Sequence, residues 1–97
     1  MRVRYTLPAL ADLEAILDTI GAQSPRGAKR VQAKIKSVID LLPRQPLIGT
    51  RTDDPPIRRL VVTPYPYLVF YEPAADEILI HAIRNAARMP IATPGCC

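Results

Sequence analysis

His81 is the only histidine of this chain and therefore the first candidate for proton transfer near neutral pH. It lies between Ile80 and Ala82 in an apolar run. A lone histidine in such a run is more often a half-buried structural residue than a general base. The sequence therefore leaves two interpretations of His81, one catalytic and one structural.

Four arginines border the apolar and aromatic segment 57–88 and are the stronger candidates for a functional site. Arg58 and Arg59 begin the segment, and Arg84 and Arg88 lie at its end. A guanidinium group can form two parallel hydrogen bonds with a carboxylate or a phosphate. The formal net charge of +4 also favours an anionic partner, either a nucleic acid or an acidic protein segment. Because Arg58 and Arg59 are adjacent, they would point to opposite faces of a strand, and only one of them could lie on a solvated face.

Three tyrosines in the same segment have two possible roles. Tyr65, Tyr67 and Tyr71 occupy alternate positions, so in a strand they would share one face with Val69. Aromatic rings on an open sheet face can stack on bases, as in proteins that bind single strands. Strands also use aromatic residues for packing, and helices must cover one face of a sheet in a small domain. Packing is the simpler explanation, and base stacking is the alternative.

Several other kinds of site are disfavoured. The chain has no CxxC, HExxH, GxGxxG or GxxxxGK[ST] motif, so the common zinc, dinucleotide and P-loop sites are not predicted. No serine or cysteine has a histidine and a carboxylate arranged beside it in the manner of a triad hydrolase. The carboxylates of Asp53 and Asp54 point apart, and the adjacent thiols of Cys96 and Cys97 have no third ligand at a suitable spacing. We therefore expect neither a metal nor a cofactor.

Size and composition predict one small globular domain, residues 1–90, followed by a flexible tail, residues 91–97. The chain has 97 residues, of which 48% are hydrophobic and 23% charged. No apolar run is long enough to span a membrane, and the N-terminus lacks a signal pattern, so the expected location is the cytoplasm and no membrane contact is expected.

The first half of the chain predicts a strand and two helices. Arg2 to Tyr5 alternate in the manner of a short strand, and Thr6 is suited to cap the helix that follows. Ser24 and Pro25 form a second helix start, and Pro43 ends that helix. The apolar positions recur at helical spacing in both segments. In the first helix they are Ala9, Leu13, Ile16, Leu17 and Ile20, and in the second Ala28, Val31, Ile35, Val38, Ile39 and Leu42.

The second half predicts a loop and a meander of three strands. Residues 43–56 are rich in Pro, Gly, Thr and Asp and are typical of a surface connection. Strands are predicted over Ile57 to Thr63, Tyr67 to Glu72 and Glu77 to Ile83, separated by proline-containing turns. The expected fold is α+β, with an N-terminal strand and an antiparallel helical hairpin packed on a mainly antiparallel sheet.

These elements, in this order, resemble the RelE/ParE superfamily of bacterial type II toxins. The resemblance rests on the segments VRYTLPALADLEAI, PLIG, RRLVVTPYPYLVFY and IHAIRNAAR and covers nearly the whole chain except the tail. It implies a toxin of a toxin–antitoxin, or plasmid-stabilisation, module. It also implies a cognate, acidic antitoxin in a hetero-oligomeric complex, with operator DNA contacted only through that antitoxin.

Three residue positions distinguish the branches of this superfamily. RelE-like nucleases carry an arginine at the position of Leu68, and related toxins often carry a histidine at that of Asn85. The nucleases also use a tyrosine or a His-Tyr pair near the C-terminus, and nothing after Arg88 is aromatic or histidine. An amide cannot transfer protons near neutral pH, so acid–base cleavage of RNA loses its usual groups.

The resemblance therefore favours a ParE-like inhibitor of DNA gyrase with no enzymatic activity of its own. One alternative is a RelE-like, ribosome-dependent mRNA endoribonuclease that uses Arg59, Arg88 and His81. A second alternative is an inactive toxin that only binds its antitoxin. The residues expected to contact the antitoxin or the target are Arg58, Arg59, Tyr65, Tyr67, Arg84 and Arg88.

Overall fold

A helical hairpin covers one face of a five-stranded sheet in the computed structural model, which describes residues 2–63 and 65–86. The helices are α1 (Leu7–Gly21) and α2 (Pro25–Ile39). The strands are β1 (Arg2–Tyr5), β2 (Thr50–Arg51), β3 (Arg58–Val61), β4 (Tyr67–Pro73) and β5 (Glu77–Asn85). The predicted α+β fold is confirmed.

Both helices begin at the residues that the sequence predicts. The Thr6 hydroxyl accepts a hydrogen bond from the backbone N–H of Ala9 at 3.3 Å, and the Ser24 hydroxyl accepts one from that of Gly27 at 3.0 Å. A proline lies in the first turn of each helix, where the missing N–H has no intrahelical partner to lose. The second helix ends at Ile39 rather than continuing to Pro43, and Leu42 is buried in the turn that follows.

The strands lie in the order β1-β5-β4-β3-β2. The pairing of β1 with β5 is parallel and the other three pairings are antiparallel. The first and last of the described strands are therefore neighbours. β2 is a two-residue edge strand within the segment that the sequence predicts as a loop, and β5 extends past Ile83 to Asn85.

A β-bulge interrupts the pairing of the two longest strands. Phe70 pairs with Ala82, but Tyr71 pairs with Ile80, so His81 is the extra residue of β5. In such a bulge the extra residue and its neighbour point to the same side of the sheet. His81 consequently lies on the same side as Ala82 and Phe70.

The core lies between the hairpin and the inner face of the sheet. α2 contributes a stripe of buried residues, and α1 contributes Ala9, which is fully buried, with half-buried residues around it. Tyr71 is the largest fully buried side chain. The main buried residues are Val31, Ile35, Val38, Ile39, Leu42, Val62, Val69, Tyr71, Ile78, Ile80 and Ile83.

Candidate functional site on the open sheet face

The sheet face that the helices leave uncovered, here called the open face, carries two of the predicted arginines. Directly paired residues of neighbouring strands lie on the same face. Arg59 pairs with Phe70, and Arg84 pairs with Leu68, whereas the core residue Val69 points the other way. By register and alternation the open face comprises Arg59, Val61, Leu68, Phe70, His81, Ala82 and Arg84.

Arg59 and Arg84 lie on two strands separated by β4. Standard sheet spacing puts their Cα atoms about 12 Å apart, which is far enough to contact two separate anionic groups. Arg59 is exposed and has no ion pair within the part of the chain that the structure describes. Arg84 is 58% exposed, and its Nη1 lies 3.8 Å from Oδ1 of Asp12 in α1. Arg84 is therefore only loosely held, and both guanidinium groups are accessible.

Asp12 positions Arg84 by fixing the end of β5. β1 ends at Tyr5, so the later residues of β5 have no strand on that side. α1 fills the place instead: Oδ2 of Asp12 accepts a hydrogen bond from the backbone N–H of Ile83 at 3.1 Å. The Thr6 hydroxyl donates to the carbonyl of Ile80 at 2.8 Å. The capping of α1 is thus connected directly to the strand that carries Arg84.

Arg58 lies on the other face and serves the structure. Its Nη1 donates to the carbonyl oxygens of Gly49 at 2.8 Å and Leu47 at 3.3 Å. The adjacent arginines therefore point to opposite faces, as strand alternation predicts. Arg58 holds the turn 46–49, which carries the PLIG motif, against the sheet.

The hydroxyl of Tyr71 fixes the same turn from inside the core. It accepts a hydrogen bond from the N–H of Gly49 at 2.9 Å and donates one to the carbonyl of Pro46, also at 2.9 Å. A Cβ on Gly49 would lie 2.7 Å from this hydroxyl oxygen and 2.9 Å from the carbonyl oxygen of Arg59. Glycine is therefore required by close approach. Burial raises the pKa of Tyr71, although the N–H of Gly49 and the charge of Arg58 act in the opposite direction.

His81 lies beside a carboxylate on the open face. Its Nε2 is 2.9 Å from Oε1 of Glu72, and both side chains are about one-third exposed. A cleft of about 580 Å³ opens next to the ring, and its lining includes Phe70 together with Asp53 and Asp54. His81 is thus paired with Glu72 and faces a cleft that carries two further carboxylates.

Two of the tyrosines pack rather than project. Tyr67 is 8% exposed and belongs to the core, and Tyr65 packs against the core from its edge. These positions are those that packing predicts. Neither ring is available on the open face for stacking on a base. Tyr67 and Tyr71 do share a face with Val69, but it is the face that the helices cover.

Two of the positions that distinguish the superfamily branches, Leu68 and Asn85, lie on opposite faces of the sheet. Leu68 is 6% exposed and lies on the open face between Val61 and Arg84. Asn85 pairs with Tyr67 and so lies on the helix-covered face, next to the second half of α1. Arg88, Cys96 and Cys97 lie outside the described residues, as does the predicted tail 91–97.

Within residues 2–63 and 65–86, no three His, Cys, Asp or Glu side chains are grouped to hold a metal ion. The same described ranges contain no helix with the length and apolarity that a membrane crossing requires.

Comparison with known proteins identifies the family. Residues 3–90 match the family model described as the ParE toxin of the type II toxin–antitoxin system parDE. This chain belongs to the ParE toxin family. The match spans every helix and strand except the start of β1.

Individual relatives of this ParE-family chain agree with that assignment. Toxin RelE2 of Caulobacter vibrioides is 42% identical over 88 residues, which cover 91% of this chain and 98% of the relative. The Sinorhizobium fredii protein Y4kP, named as a candidate toxin, is 37% identical over 79 residues, which cover 80% of this chain and 82% of that protein. A solved structure titled as the chromosomal ParDE system from P. aeruginosa superposes with a TM-score of 0.78 at 25% identity, covering 88% of this chain and 95% of that one. The RelE/ParE resemblance drawn from the sequence is confirmed.

Sequence reasoning did not find the connections that hold this ParE-family site together. Asp12 carries no signal beyond being a polar residue in a helix, because its partner is a backbone N–H at the far end of the chain. The glycine at the end of the PLIG motif, Gly49, is the one residue type that could indicate a tight contact with its backbone. Nothing in the sequence indicates that the contacting group is the hydroxyl of Tyr71.

Proposed function

We propose that this chain is the toxin of a bacterial type II toxin–antitoxin module and that it acts by binding DNA gyrase, with no catalysis of its own. The observation that carries the proposal is Leu68, which is 6% exposed on the open face between Val61 and Arg84. The resemblance places an arginine at this position in the nuclease branch. Leu68 supplies no charge for stabilising a transition state, and the apolar contact surface beside it is its neighbour Val61, which is 53% exposed.

The surroundings of the other candidate groups support the same proposal. His81 faces the carboxylates of Glu72, Asp53 and Asp54, which would repel the phosphates of an RNA substrate. Asn85 lies on the helix-covered face, away from Arg59 and Arg84. The open face therefore presents two accessible guanidinium groups and the exposed apolar side chain of Val61, which is an arrangement for protein contact.

An antitoxin is the second partner in this proposal. The ParE family is described by its type II toxin–antitoxin system, and the chain carries a net charge of +4 that an acidic antitoxin segment would complement. A short acidic reading frame beside the gene for this chain is the expected source of that antitoxin.

The test is a supercoiling assay with purified gyrase, relaxed plasmid and increasing amounts of this protein. We expect supercoiling to stop and gyrase–DNA cleavage complexes to accumulate. The double variant Arg59→Ala plus Arg84→Ala should require at least a tenfold higher concentration for the same inhibition. Arg30→Ala, which removes an exposed charge from α2, serves as the control and should behave as wild type. Full gyrase activity with a large excess of folded protein would refute the proposed target.

A ribosome-dependent mRNA endoribonuclease is the second candidate, and the His81–Glu72 pair favours it. A carboxylate 2.9 Å from Nε2 can orient an imidazole for proton transfer, as in general-base sites. Primer extension on a translated mRNA should then show cuts at codon boundaries that disappear in His81→Ala. Cleavage that persists in His81→Ala would exclude His81 as a catalytic residue. Intact transcripts with the wild-type protein would exclude the endoribonuclease activity.

Expression without the antitoxin separates both candidates from an inactive protein. Growth should stop on induction and resume when the antitoxin is supplied. Unimpaired growth, with the folded protein present in the cells, would leave antitoxin binding as the function.

A further inference from the structure

A groove on the side of the molecule that carries the PLIG turn has an apolar floor and two arginines beside it. Its apolar lining includes Leu47, Pro55, Ile57 and Pro73, and its charged lining consists of Arg51 and Arg58. The groove has a volume of about 310 Å³, near the lower end of the range for ligand sites. A space of this size suits one or two side chains of a partner rather than a whole cofactor.

Hydrogen bonds hold one wall of this groove in place. Arg58 donates to the carbonyl oxygens of Leu47 and Gly49, and Tyr71 donates to that of Pro46. Leu47 is thereby fixed on the turn with 65% of its surface exposed. An exposed leucine on a fastened turn can be buried by a partner without a large loss of backbone entropy.

The loop between β2 and β3, which also lines the groove, is held by hydrogen bonds of its own. The Thr52 hydroxyl donates to the carbonyl of Ile57 at 2.9 Å, and the N–H of Ile57 donates to the carbonyl of Asp54 at 2.9 Å. The PLIG turn is thus bonded to the sheet, and the loop between β2 and β3 is closed by bonds within itself. The groove is formed before any ligand arrives, which is typical of specific binding sites.

Charge then restricts what can occupy the groove. Within the described residues, neither Arg51 nor Arg58 has a carboxylate within 4.0 Å. Among the described residues no carboxylate lines the groove, and the acidic pair Asp53 and Asp54 lines the adjoining cleft, which shares Thr52 and Ile57 with it. An occupant with an apolar side chain next to a carboxylate would satisfy the floor and both guanidinium groups.

We infer that this groove binds an apolar residue and a neighbouring acidic residue of the antitoxin, as an anchoring point apart from the open face. The inference rests on the proposed function, because it takes the antitoxin as the partner. The toxin then has two binding surfaces, the open face for its target and the groove for the antitoxin. An antitoxin anchored here could stay bound while another of its segments covers Arg59 and Arg84.

The test measures binding of the purified, full-length product of the neighbouring antitoxin gene to the purified toxin by biolayer interferometry. Leu47→Asp should raise the Kd at least tenfold, mainly through faster dissociation, because an apolar anchor is lost. Arg51→Glu should slow association, and this effect should shrink at high salt. The matched controls are Leu41→Asp, at a leucine that is 42% exposed outside the groove, and Arg30→Glu on α2.

The outcomes separate the inference from the proposed function. Groove variants that are folded by circular dichroism and bind within twofold of wild type would overturn the inference, and so would control variants that are weakened equally. Groove variants that keep antitoxin binding but lose toxicity would assign the groove to the target and also overturn it. Failure of the wild-type chain to bind the antitoxin at all would instead overturn the proposed function.

Discussion

Replacing Tyr71 with phenylalanine tests the contact on which the PLIG turn depends. The substitution removes one oxygen atom and keeps the buried ring. That oxygen bonds the N–H of Gly49 and the carbonyl of Pro46, both at 2.9 Å. The variant therefore leaves one donor and one acceptor without their partner while the packing around the ring stays the same.

The cost follows from the burial of these two groups. Gly49 is buried, so its N–H cannot turn to water, and an unpaired buried donor costs about 1–3 kcal/mol. Pro46 is half-buried, so water can replace part of its lost bond, which adds up to about 1 kcal/mol. The two contributions sum to about 1–4 kcal/mol, and we expect Tyr71→Phe to lower the free energy of unfolding by the middle of that range, about 2–3 kcal/mol. For a domain of this size, that corresponds to a decrease in Tm of roughly 8–24 °C.

Urea unfolding followed by circular dichroism measures this loss, with an unchanged m-value as the sign that the unfolded state is not altered. Tyr65→Phe is the matched control, because Tyr65 also packs against the core but its hydroxyl has no hydrogen bond within the described residues. The control should change stability by less than about 0.5 kcal/mol. Equal losses in the two variants would show that the hydroxyl of Tyr71 does not hold the turn.

Three further predictions concern stability. Gly49→Ala should cost about 1–3 kcal/mol in the same urea assay, because the new Cβ would lie 2.7 Å from the hydroxyl oxygen of Tyr71, and wild-type stability would contradict the close approach. Asp12→Ala should cost about 1–2 kcal/mol by removing the acceptor for the N–H of Ile83, and Asp12→Asn, which keeps an acceptor, should recover most of the loss. Burial raises the pKa of both Tyr5 and Tyr71 above the ordinary value of 10.0, so the folded state holds these protons more tightly than the unfolded chain. Their contribution should be complete below pH 10.0 and lost as the pH rises through the raised values, and an unfolding free energy that stays constant across this window would contradict it.

Local signals in the sequence were sufficient for both helices and for four of the five described strands, whereas the two-residue strand β2 was missed. Helix starts at Thr6 and Ser24 depend on side chains and prolines within one turn, so they are visible without tertiary information. The length of α2 was less predictable. Its apolar stripe continues to Leu42, but the helix ends at Ile39. A turn can also place a side chain in the core, so the apolar pattern does not mark the end of the helix.

The arrangement of the site depended on pairings that no local pattern contains. The bulge at His81 shifts the side-chain alternation within β5, and strand periodicity alone does not locate it. The partners of Arg58 are carbonyl oxygens of a turn 9 and 11 positions away, which carry no residue-specific signal. The opposite orientation of Arg58 and Arg59 was predictable, whereas the structural task of Arg58 was not.

The parallel pairing of β1 with β5 has a consequence for synthesis of the chain. Arg4 and Glu77 form an ion pair at 3.0 Å although they are 73 positions apart. The five described strands therefore cannot pair until β5 has been translated, and contacts between distant parts of a chain also slow folding. A chain that stops before Glu77 lacks the neighbour of β1 and part of the surface that covers both helices. Interrupted translation thus yields fragments with exposed apolar surface, and the open face lacks Arg84 until β5 has been made.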